Sequence, residues 1–567
     1  MSHRRARPFH GALVLGLAAS SAKAGPPKAD LVLTNGVVYT VQAKPVTAEA
    51  VAVTGSRIAA VGSAKALASL IGPKTRVIAL RGRAVVPGFE DSHAHVLGVG
   101  FARIDVKLDA ARTYREVVGK VAEAAEGRRS GEWVFGRGWH EEKWSEPPEG
   151  AVRGFPRHDA LSAATPENPV VLERADGHAV LVNAKAMEVL GISREAVAPA
   201  GGEIIRDGDG NPTGVFVDNA QSLVQPPPRS DADKHRALDL AMEEALEKGV
   251  TTLTDAGAEA DAVALYREYA AAGKLGVRLY VMAAGLETLK EWKVPRVGLG
   301  GGFLTLRAVK LYADGAMGSR GAAMLEPYDD DPGNSGLLVT KPEAILEAAR
   351  WALPRGFQVC THAIGDRANR IVLDQYEAAF REFPGVKDHR FRIEHAQLLD
   401  EADISRFGKL HVIASMQGIH APSDRPWAPA RVGMARVSEG LYVWRKLWQA
   451  EARIINGTDA PVEDLSAIQN FHASVTRAGA DGQPAGGFDP DQRMTREEAL
   501  RTYTKDAAYG SFEEGVKGTI EVGKLADLVV LSRDVMKVPE DEILGAQVDV
   551  TIVDGRVRYE REPAREK

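Results

Sequence analysis

The chain has 567 residues, a formal net charge of -6 and a single cysteine, Cys360. Hydrophobic residues make up 44% of it and charged residues 26%, the composition of a globular protein that buries a core. No dense Lys/Arg tract follows the first few residues, so nucleic acid is excluded as an expected partner. One cysteine also excludes an intrachain disulfide, and the fold must therefore depend on its core.

The first 24 residues have the order of a secretory signal peptide. Arg4, Arg5 and Arg7 precede an apolar run at 11–19, and Ala22-Lys23-Ala24 forms a small-x-small cleavage signal. The run is too short to span a bilayer as a stable helix. We expect cleavage after Ala24 and a periplasmic or secreted mature chain without a membrane segment; a disordered basic tail is the alternative. The Arg4-Arg5 pair leaves Sec and twin-arginine export both open.

Both ends of the mature chain are predicted to form β-structure. Short β-rich runs separated by turns occupy 25–86, and the same pattern returns at 510–567. Asn35-Gly36 and Asp554-Gly555 are each typical of a tight hairpin turn. Because neither segment buries a face alone, we expect the two to pair into one small composite β-sandwich domain.

The region 87–509 alternates strands with amphipathic helices. One strand ends at His93, and the others are predicted at Val250–Asp255, Val277–Ala283, Leu304–Tyr312, Gln358–His362, Phe391–His395, Val412–Met416 and Arg453–Thr458. Eight such units predict an α/β fold, a (β/α)8 TIM barrel, with its active site at the carboxyl ends of the strands. The segment at about 101–229 is too long for a connection, and we interpret it as an insertion after the first barrel strand.

Metal-binding side chains gather at the predicted strand ends. Six of them lie there: His93, His95, Lys310, His362, His395 and Asp459. His93 and His95 are two residues apart, so both point to one face if the strand continues, and Asp91 shares that face. Each residue alone has a structural explanation, such as a buried core histidine or a helix cap. Their joint placement at one end of a barrel favours a metal-dependent catalytic site.

These motifs resemble those of the amidohydrolase superfamily. "PGFEDSHAH" is similar to its His-x-His signature, "VKLYADGAMGSRGA" to the lysine motif of the YtcJ-like branch, and "THAIGDRA", "IEHAQ" and "GTDAPV" to later ligand motifs. The resemblance covers nearly all of the mature chain, and the branch includes N-substituted formamide deformylases. "SMQGIHAPSD" departs from the branch, with Gly418 where Pro is frequent.

The resemblance implies a centre with two metal ions. The ligands it assigns are His93, His95 and Asp459 for one ion, His362 and His395 for the other, and Lys310, carboxylated by CO2 to a carbamate, between them. Imidazole and carboxylate ligands favour Zn2+, and Mn2+, Fe2+, Ni2+ and Co2+ are alternatives. A single ion beside an unmodified lysine is the alternative arrangement.

The resemblance further implies a hydrolase acting on carbon–nitrogen bonds other than peptide bonds. An amide, N-formyl or N-acyl amine would be cleaved by a metal-bound hydroxide, with Asp459 as general acid/base. Two rivals stay open: esterase, lactonase or phosphotriesterase activity on the same site, and a non-catalytic periplasmic metal-binding protein. The expected partner is a small-molecule substrate, and a homodimer is compatible with the sequence.

Other polar and aromatic residues are candidates for supporting roles. The predicted substrate contacts are His178, Arg320, His420, Asp424 and Trp139. We predict that Asp91, Asp314, Asp366 and Gln397 either orient ligands or brace caps and turns. We expect His140 to be exposed, with a place in the pocket wall as the alternative, and Cys360 to pack inside the barrel, one layer deeper than His362.

Overall fold

The computed structural model of the protein describes residues 28–44 and 46–562. The predicted signal peptide at 1–24 therefore lies outside the described residues. Within them, no helix combines the length and the apolar character that crossing a membrane requires.

Eight parallel strands form a barrel. They are β1 Phe89–Ala94, β2 Val250–Ala258, β3 Arg278–Ala284, β4 Leu304–Tyr312, β5 Gln358–Ala363, β6 Arg392–His395, β7 Ile413–Met416 and β8 Ile454–Asn456. Each pairs with its neighbours in chain order from β1 to β8. A bridge between Ala94 and Ala460 then connects the first strand with the segment after the last. The predicted TIM barrel is confirmed.

The predicted strand positions agree with the barrel to within a few residues. β4 has the predicted bounds, whereas β2 continues to Ala258 instead of ending at Asp255. The apolar run before the histidines forms its own strand, Ala84–Pro87, which pairs with terminal strands outside the barrel. His93 therefore belongs to a separate strand that begins at Phe89.

Helices surround the barrel and follow its strands. The longer ones are Val96–Ala102, Asp231–Glu247, Ala260–Ala271, Gly285–Trp292, Pro342–Ala352, Asp366–Glu382, Glu401–Leu410, Ala428–Gly440 and Ala467–Thr476. Shorter helices are Leu299–Gly302, His420–Asp424, Trp444–Gln449, Arg496–Thr502 and Lys505–Gly510. The short helix Ala64–Leu67 lies outside the barrel, against the strands Ala50–Thr54 and Arg57–Gly62. The alternation of strands and amphipathic helices predicted for 87–509 is present, because the apolar positions of the helices recur at the helical period and pack on the barrel.

Between the first barrel helix, Val96–Ala102, and the second, Asp231–Glu247, the chain forms a separate sheet. Its strands are Val106–Lys107, Val134–Trp139, Val170–Arg174, Ala179–Val182, Gly202–Arg206 and Pro212–Asp218. Three helices accompany it: Tyr114–Ala125, Asp159–Ala164 and Ala184–Leu190. Apolar side chains on the two faces of the sheet form two cores of its own.

The two ends of the chain build a pair of sheets. The four-stranded sheet contains Leu31–Thr34, Ala50–Thr54, Arg57–Gly62 and Arg76–Ala79. The six-stranded sheet contains Val37–Tyr39, Thr47–Ala48, Ala84–Pro87, Leu528–Leu531, Val548–Val553 and Arg556–Glu560. Leu31 and Leu33 from the first sheet share one core with Val530 and Ile552 from the second.

The two predicted hairpin turns have different outcomes. Asp554-Gly555 connects two antiparallel paired strands, as predicted, and both residues have positive φ, 55° and 74°. The prediction for Asn35-Gly36 is wrong, because the strands on its two sides belong to different sheets. A turn signal identifies a reversal or a corner, but pairing depends on which sheet each strand joins.

Candidate metal-dependent active site

The six predicted metal ligands lie together at the carboxyl end of the barrel. Asp459 Oδ1 is 3.2 Å from His95 Nε2 and 3.5 Å from His93 Nε2, and Asp459 Oδ2 is 3.9 Å from His395 Nδ1. Lys310 Nζ is 3.3 Å from His93 Nε2. The rings of His362 and His395 are 4.5 Å apart between centroids. One parallel barrel has thus joined five strand ends that are far apart in sequence.

The first and last strand ends are held in register by Asp91. Its carboxylate accepts hydrogen bonds from the backbone N–H of His93 at 3.1 Å and from the Thr458 hydroxyl at 2.6 Å. Burial raises the pKa of Asp91 to about 7, although the Thr458 hydroxyl opposes that rise. Gly457 is required here, because a Cβ would lie 2.5 Å from the His93 backbone nitrogen. Asp91 therefore braces the strand ends that carry His93 and Asp459.

Two residues of the cluster have left-handed backbone conformations. His395 has φ 76° and Asp459 has φ 59°. For a residue other than glycine, such a conformation costs about 1–3 kcal/mol and persists only where surrounding contacts impose it. Such a contact holds the backbone conformation of Asp459, because its N–H donates a hydrogen bond to the His93 carbonyl at 2.7 Å. Strained residues of this kind are frequent at functional sites.

Buried acceptors orient the imidazoles. His93 Nδ1 lies 2.5 Å from Glu394 Oε2, and both side chains are fully buried. His395 Nδ1 lies 2.8 Å from Gln417 Oε1. When Nδ1 of a ring donates to such an acceptor, Nε2 keeps a lone pair for a metal ion. Glu394 and Gln417 thus offer the acceptors that would hold each ring with Nε2 available to a metal ion.

Glu394 and Gln417 did not emerge from the sequence. Successive residues of a strand point to opposite faces, so the sequence pattern places Glu394 on the face away from His395 and the other candidate ligands. The available signal was chemical: "FRIEHAQ" has a carboxylate inside a buried strand, where an unpaired charge is costly. Burial alone would raise the pKa of Glu394, but the adjoining His93 ring lowers it, so the group is a carboxylate.

The donor set fits metal ions in two overlapping groups. His93, His95 and Asp459 can each offer a ligand atom, all within 4.8 Å of one another, and so can His395, His420 and Asp459. Asp459 is common to both groups. Burial tends to raise its pKa, but the imidazoles of His93, His95 and His395 hold the pKa well below its ordinary value. Imidazole nitrogen with carboxylate oxygen is a donor set suited to Zn2+ and related ions.

His362 is placed differently from the other imidazoles. Its Nε2 lies 3.4 Å from the Gly315 carbonyl oxygen and 3.6 Å from Asp314. Asp314 accepts N–H bonds from Ala323 and Gly365 at 2.8 and 2.9 Å, so it connects the loops that follow β4 and β5. Burial raises the pKa of Asp314 to about 7. Asp314 thus braces the surroundings of His362.

A cavity of about 440 Å³ opens above the cluster. The barrel contributes His95, Lys310, Tyr312, His362, His395 and Asp459 to its wall, and the segment 420–427 contributes His420, Asp424 and Trp427. The inserted sheet contributes Arg137, His140, Lys143, Glu173, His178 and Asp218. The insertion thus supplies one wall of the site.

Three of the predicted substrate contacts line this cavity. They are His178, His420 and Asp424. Gln397 lies beside His420, with its Nε2 3.3 Å from His420 Nδ1. Burial raises the pKa of Asp424 to about 6, and the hydroxyl of Tyr442 donates to its carboxylate.

The other two predicted contacts lie away from the cavity wall. Trp139 is fully buried in the core of the insertion, where its Nε1 donates to the Leu172 carbonyl at 2.9 Å. Arg320 pairs with Asp330 at 2.9 Å. Trp139 does not reach the cavity, because its ring packs in the apolar core of the insertion and its N–H is hydrogen-bonded there.

The remaining sequence predictions are resolved by packing. The expected exposure of His140 is wrong, because its side chain is buried against Arg174 and lines the cavity. Asp366 accepts the Leu325 N–H at 2.7 Å at the start of its helix, a turn-bracing role. Cys360 packs with Tyr280, Met282 and small residues of neighbouring barrel strands, as predicted.

Most of the chain, residues 76–559, matches the amidohydrolase family. The protein belongs to the amidohydrolase family. It is 30% identical to the putative amidohydrolase YtcJ of Bacillus subtilis over 93% of this chain and 98% of that protein. It is 31% identical to the N-substituted formamide deformylase of Arthrobacter pascens over 94% of this chain and 98% of the relative. The predicted family resemblance is confirmed.

The solved structure of an uncharacterised metal-dependent hydrolase from Pyrococcus horikoshii is similar to this amidohydrolase. The TM-score is 0.73 at 26% identity, and the alignment covers 90% of this chain and 99% of the other. A metal-dependent hydrolase from Pyrococcus furiosus gives a TM-score of 0.69 at 27% identity, with 89% and 100% covered. The barrel, the donor set and these relatives together identify a metal-dependent hydrolase.

Proposed function

We propose that this amidohydrolase cleaves the carbon–nitrogen bond of a small amide, an N-formyl or N-acyl amine. The observation that carries the proposal is the position of Asp459, a carboxylate within 4 Å of three histidines at the floor of an open cavity. Similarity to an N-substituted formamide deformylase over nearly the full length of both proteins supports the choice of an amide.

The residues that would hold metal are His93, His95, His362, His395, Asp459 and Lys310. When bound, two Zn2+ or similar ions would polarise the carbonyl and lower the pKa of a water, which is the chemistry such ions supply. Glu394 and Gln417 hold the His93 and His395 rings ready for this. His420, which is grouped with His395 and Asp459, is the further candidate ligand.

Lys310 is proposed to carry a carbamate. Its side chain is buried, and its Nζ lies beside the His93 ring and 4.5 Å from the centre of the Tyr312 ring. None of the carboxylates in the described part of the chain approaches Nζ within ion-pair distance. An unpaired ammonium in this position has a large desolvation cost. Addition of CO2 to the neutral amine, with release of a proton, replaces that cation with an anion that suits two metal ions.

Asp459 is proposed to move the proton during hydrolysis. It is buried, ionised and held by its strained backbone, so it is placed to accept a proton from the attacking water. The same carboxyl group would then protonate the departing nitrogen. A carboxylate within reach of both atoms is typical of general acid–base catalysis.

A matched substrate panel tests the proposal. We expect N-butylformamide and N-butylacetamide to be hydrolysed faster than butyl formate or a diethyl aryl phosphate, with activity lost on chelation and restored by Zn2+. Preference for the ester would support the esterase alternative, and preference for the phosphate the phosphotriesterase alternative. Tight metal binding without turnover of any compound would support a metal-binding protein.

Export is proposed from the first 24 residues and tested separately. If they form a signal peptide, the mature chain recovered from the periplasm or medium should begin at Gly25. N-terminal sequencing of both fractions measures this. Recovery of only the full-length chain from the cytosol would contradict export.

A further inference from the structure

His178, one of two histidines that the insertion contributes to the cavity, lies beside the candidate ligand His362. His178 immediately precedes the strand Ala179–Val182 of the inserted sheet and lines the cavity. Its ring centroid lies 4.9 Å from that of His362 and 6.5 Å from that of Tyr312. A residue from a separate domain therefore contacts two residues of the barrel wall.

Asp218 determines the orientation of His178. Asp218 Oδ1 lies 2.7 Å from His178 Nδ1, and its carboxylate has only 1% of its side-chain surface exposed. The Asp218 backbone N–H also donates to the His178 carbonyl at 2.9 Å. Within the described residues, the His178 ring makes its side-chain hydrogen bond to this carboxylate, through Nδ1. His178 Nε2 is thereby left for a molecule in the cavity.

The surroundings of Asp218 are built to admit its carboxylate. Asp218 has φ 49° and ψ -126°, a strained positive-φ conformation that residues other than glycine rarely adopt. Gly315 and Gly321, in the loop after β4, approach it so closely that a Cβ on either would lie 2.3 Å from Asp218 Oδ2. That oxygen is buried and has no hydrogen-bond partner in the described structure. A strained backbone and a buried oxygen without a hydrogen bond both lower the stability of the fold. A carboxylate with a purely structural role would be expected to have both oxygens hydrogen-bonded.

We propose that His178 is a catalytic residue that hydrogen-bonds the scissile amide through Nε2, and that Asp218 is its positioning residue. This inference rests on the proposed function and deepens it: the insertion completes the catalytic centre. The imidazole belongs to the substrate side of the site, and metal binding does not need it. Fixing a hydrogen-bonding group before the substrate arrives reduces the cost of organising the transition state.

The test compares His178→Ala, His178→Gln and Asp218→Asn with the wild type on N-butylformamide. We expect His178→Ala to lower kcat by about 10²–10³-fold, as removal of one preorganised group does. Asp218→Asn should lower kcat by about 10–100-fold, because an outer partner orients the group that acts. KM should change less than kcat, and free imidazole should partly restore His178→Ala. The bound metal per chain and the Tm should stay at the wild-type values.

The control is His235→Ala. His235 also pairs with a carboxylate, Glu268 at 3.2 Å, but it is half-buried on the helix Asp231–Glu247 and does not line the cavity, so kcat should not change. His178 variants with near-native kcat, or with lost metal, would overturn the inference. A fall in kcat that simply follows a fall in Tm in all three variants would assign a structural role instead. If the wild type cleaves butyl formate but no amide, the proposed function fails while the same comparison on the ester still judges His178. A wild type inactive on every compound overturns both.

Discussion

The His93–Glu394 pair allows a quantitative prediction, because one substitution changes its charge and little else. Glu394→Gln keeps the size of the side chain and an oxygen that can accept from His93 Nδ1. A hydrogen bond to a charged group contributes about 1.5–3 kcal/mol and a neutral one about 0.5–1.5 kcal/mol. The variant should therefore lose roughly 1–1.5 kcal/mol of the hydrogen-bond free energy that orients the His93 ring and raises the basicity of its Nε2. Since 1.4 kcal/mol corresponds to a factor of ten, metal affinity should fall about tenfold.

The assay is competition between the stripped protein and a chromogenic chelator for Zn2+. Outer-shell partners of metal-bound histidine usually affect metal affinity by about 10–100-fold, which agrees with the value obtained from the hydrogen bond. Glu268→Gln is the matched control, because Glu268 is exposed and pairs with the half-buried His235. A Glu394→Gln affinity within twofold of the wild type would refute the reasoning. So would equal losses in both variants, since the effect could then not depend on burial.

The remaining predictions concern the proton carrier, the lysine and pH. Asp459→Asn should keep the fold and much of the metal but lose about 10²–10⁴-fold in kcat, measured by steady-state kinetics; near-native turnover would remove Asp459 from the mechanism. Lys310→Ala should lose metal and fall to trace activity, with partial rescue by acetate or propionate and none by matched amines; an intact mass showing plain lysine in fully active protein would contradict the carbamate. Burial lowers the pKa of His389 to about 4 from the ordinary 6.5. Below pH 6.5 His389 therefore becomes protonated in the unfolded chain but stays neutral in the folded chain. The free energy of unfolding consequently falls by up to about 3 kcal/mol towards pH 4. His389→Gln should flatten that fall in denaturant titrations, and an unchanged slope would count against it.

Local sequence was sufficient for the features that depend on short-range pattern. Strand alternation and helical periodicity located the eight barrel strands, and topology then implied that their carboxyl ends meet. His93, Lys310 and Asp459 could be grouped for this reason, although up to 366 residues separate them. The Asp554-Gly555 turn was also predictable, because its strands are neighbours in the chain and pair with each other.

Features that depend on which surfaces meet required the tertiary structure. Asn35-Gly36 carries the same type of turn signal, yet its flanking strands enter different sheets. Trp139 and His140 are adjacent in sequence, but one fills the core of the insertion and the other faces the cavity. Their two environments follow from how the inserted sheet rests on the barrel, which residue type does not encode.

The sequence by itself predicted the barrel and the set of candidate metal ligands, because eight alternating strand–helix units bring the carboxyl ends of the strands, and the polar residues there, to one face. Only the tertiary structure decided how those side chains are oriented. Glu394 reaches His93 across the barrel, and Asp218 reaches His178 between neighbouring strands of the insertion. The second contact also requires glycine at Gly315, because a Cβ there would lie 2.3 Å from Asp218 Oδ2. The alternation of residues along a strand specifies which face a side chain occupies, whereas the packing of elements that are distant in sequence specifies which group it contacts.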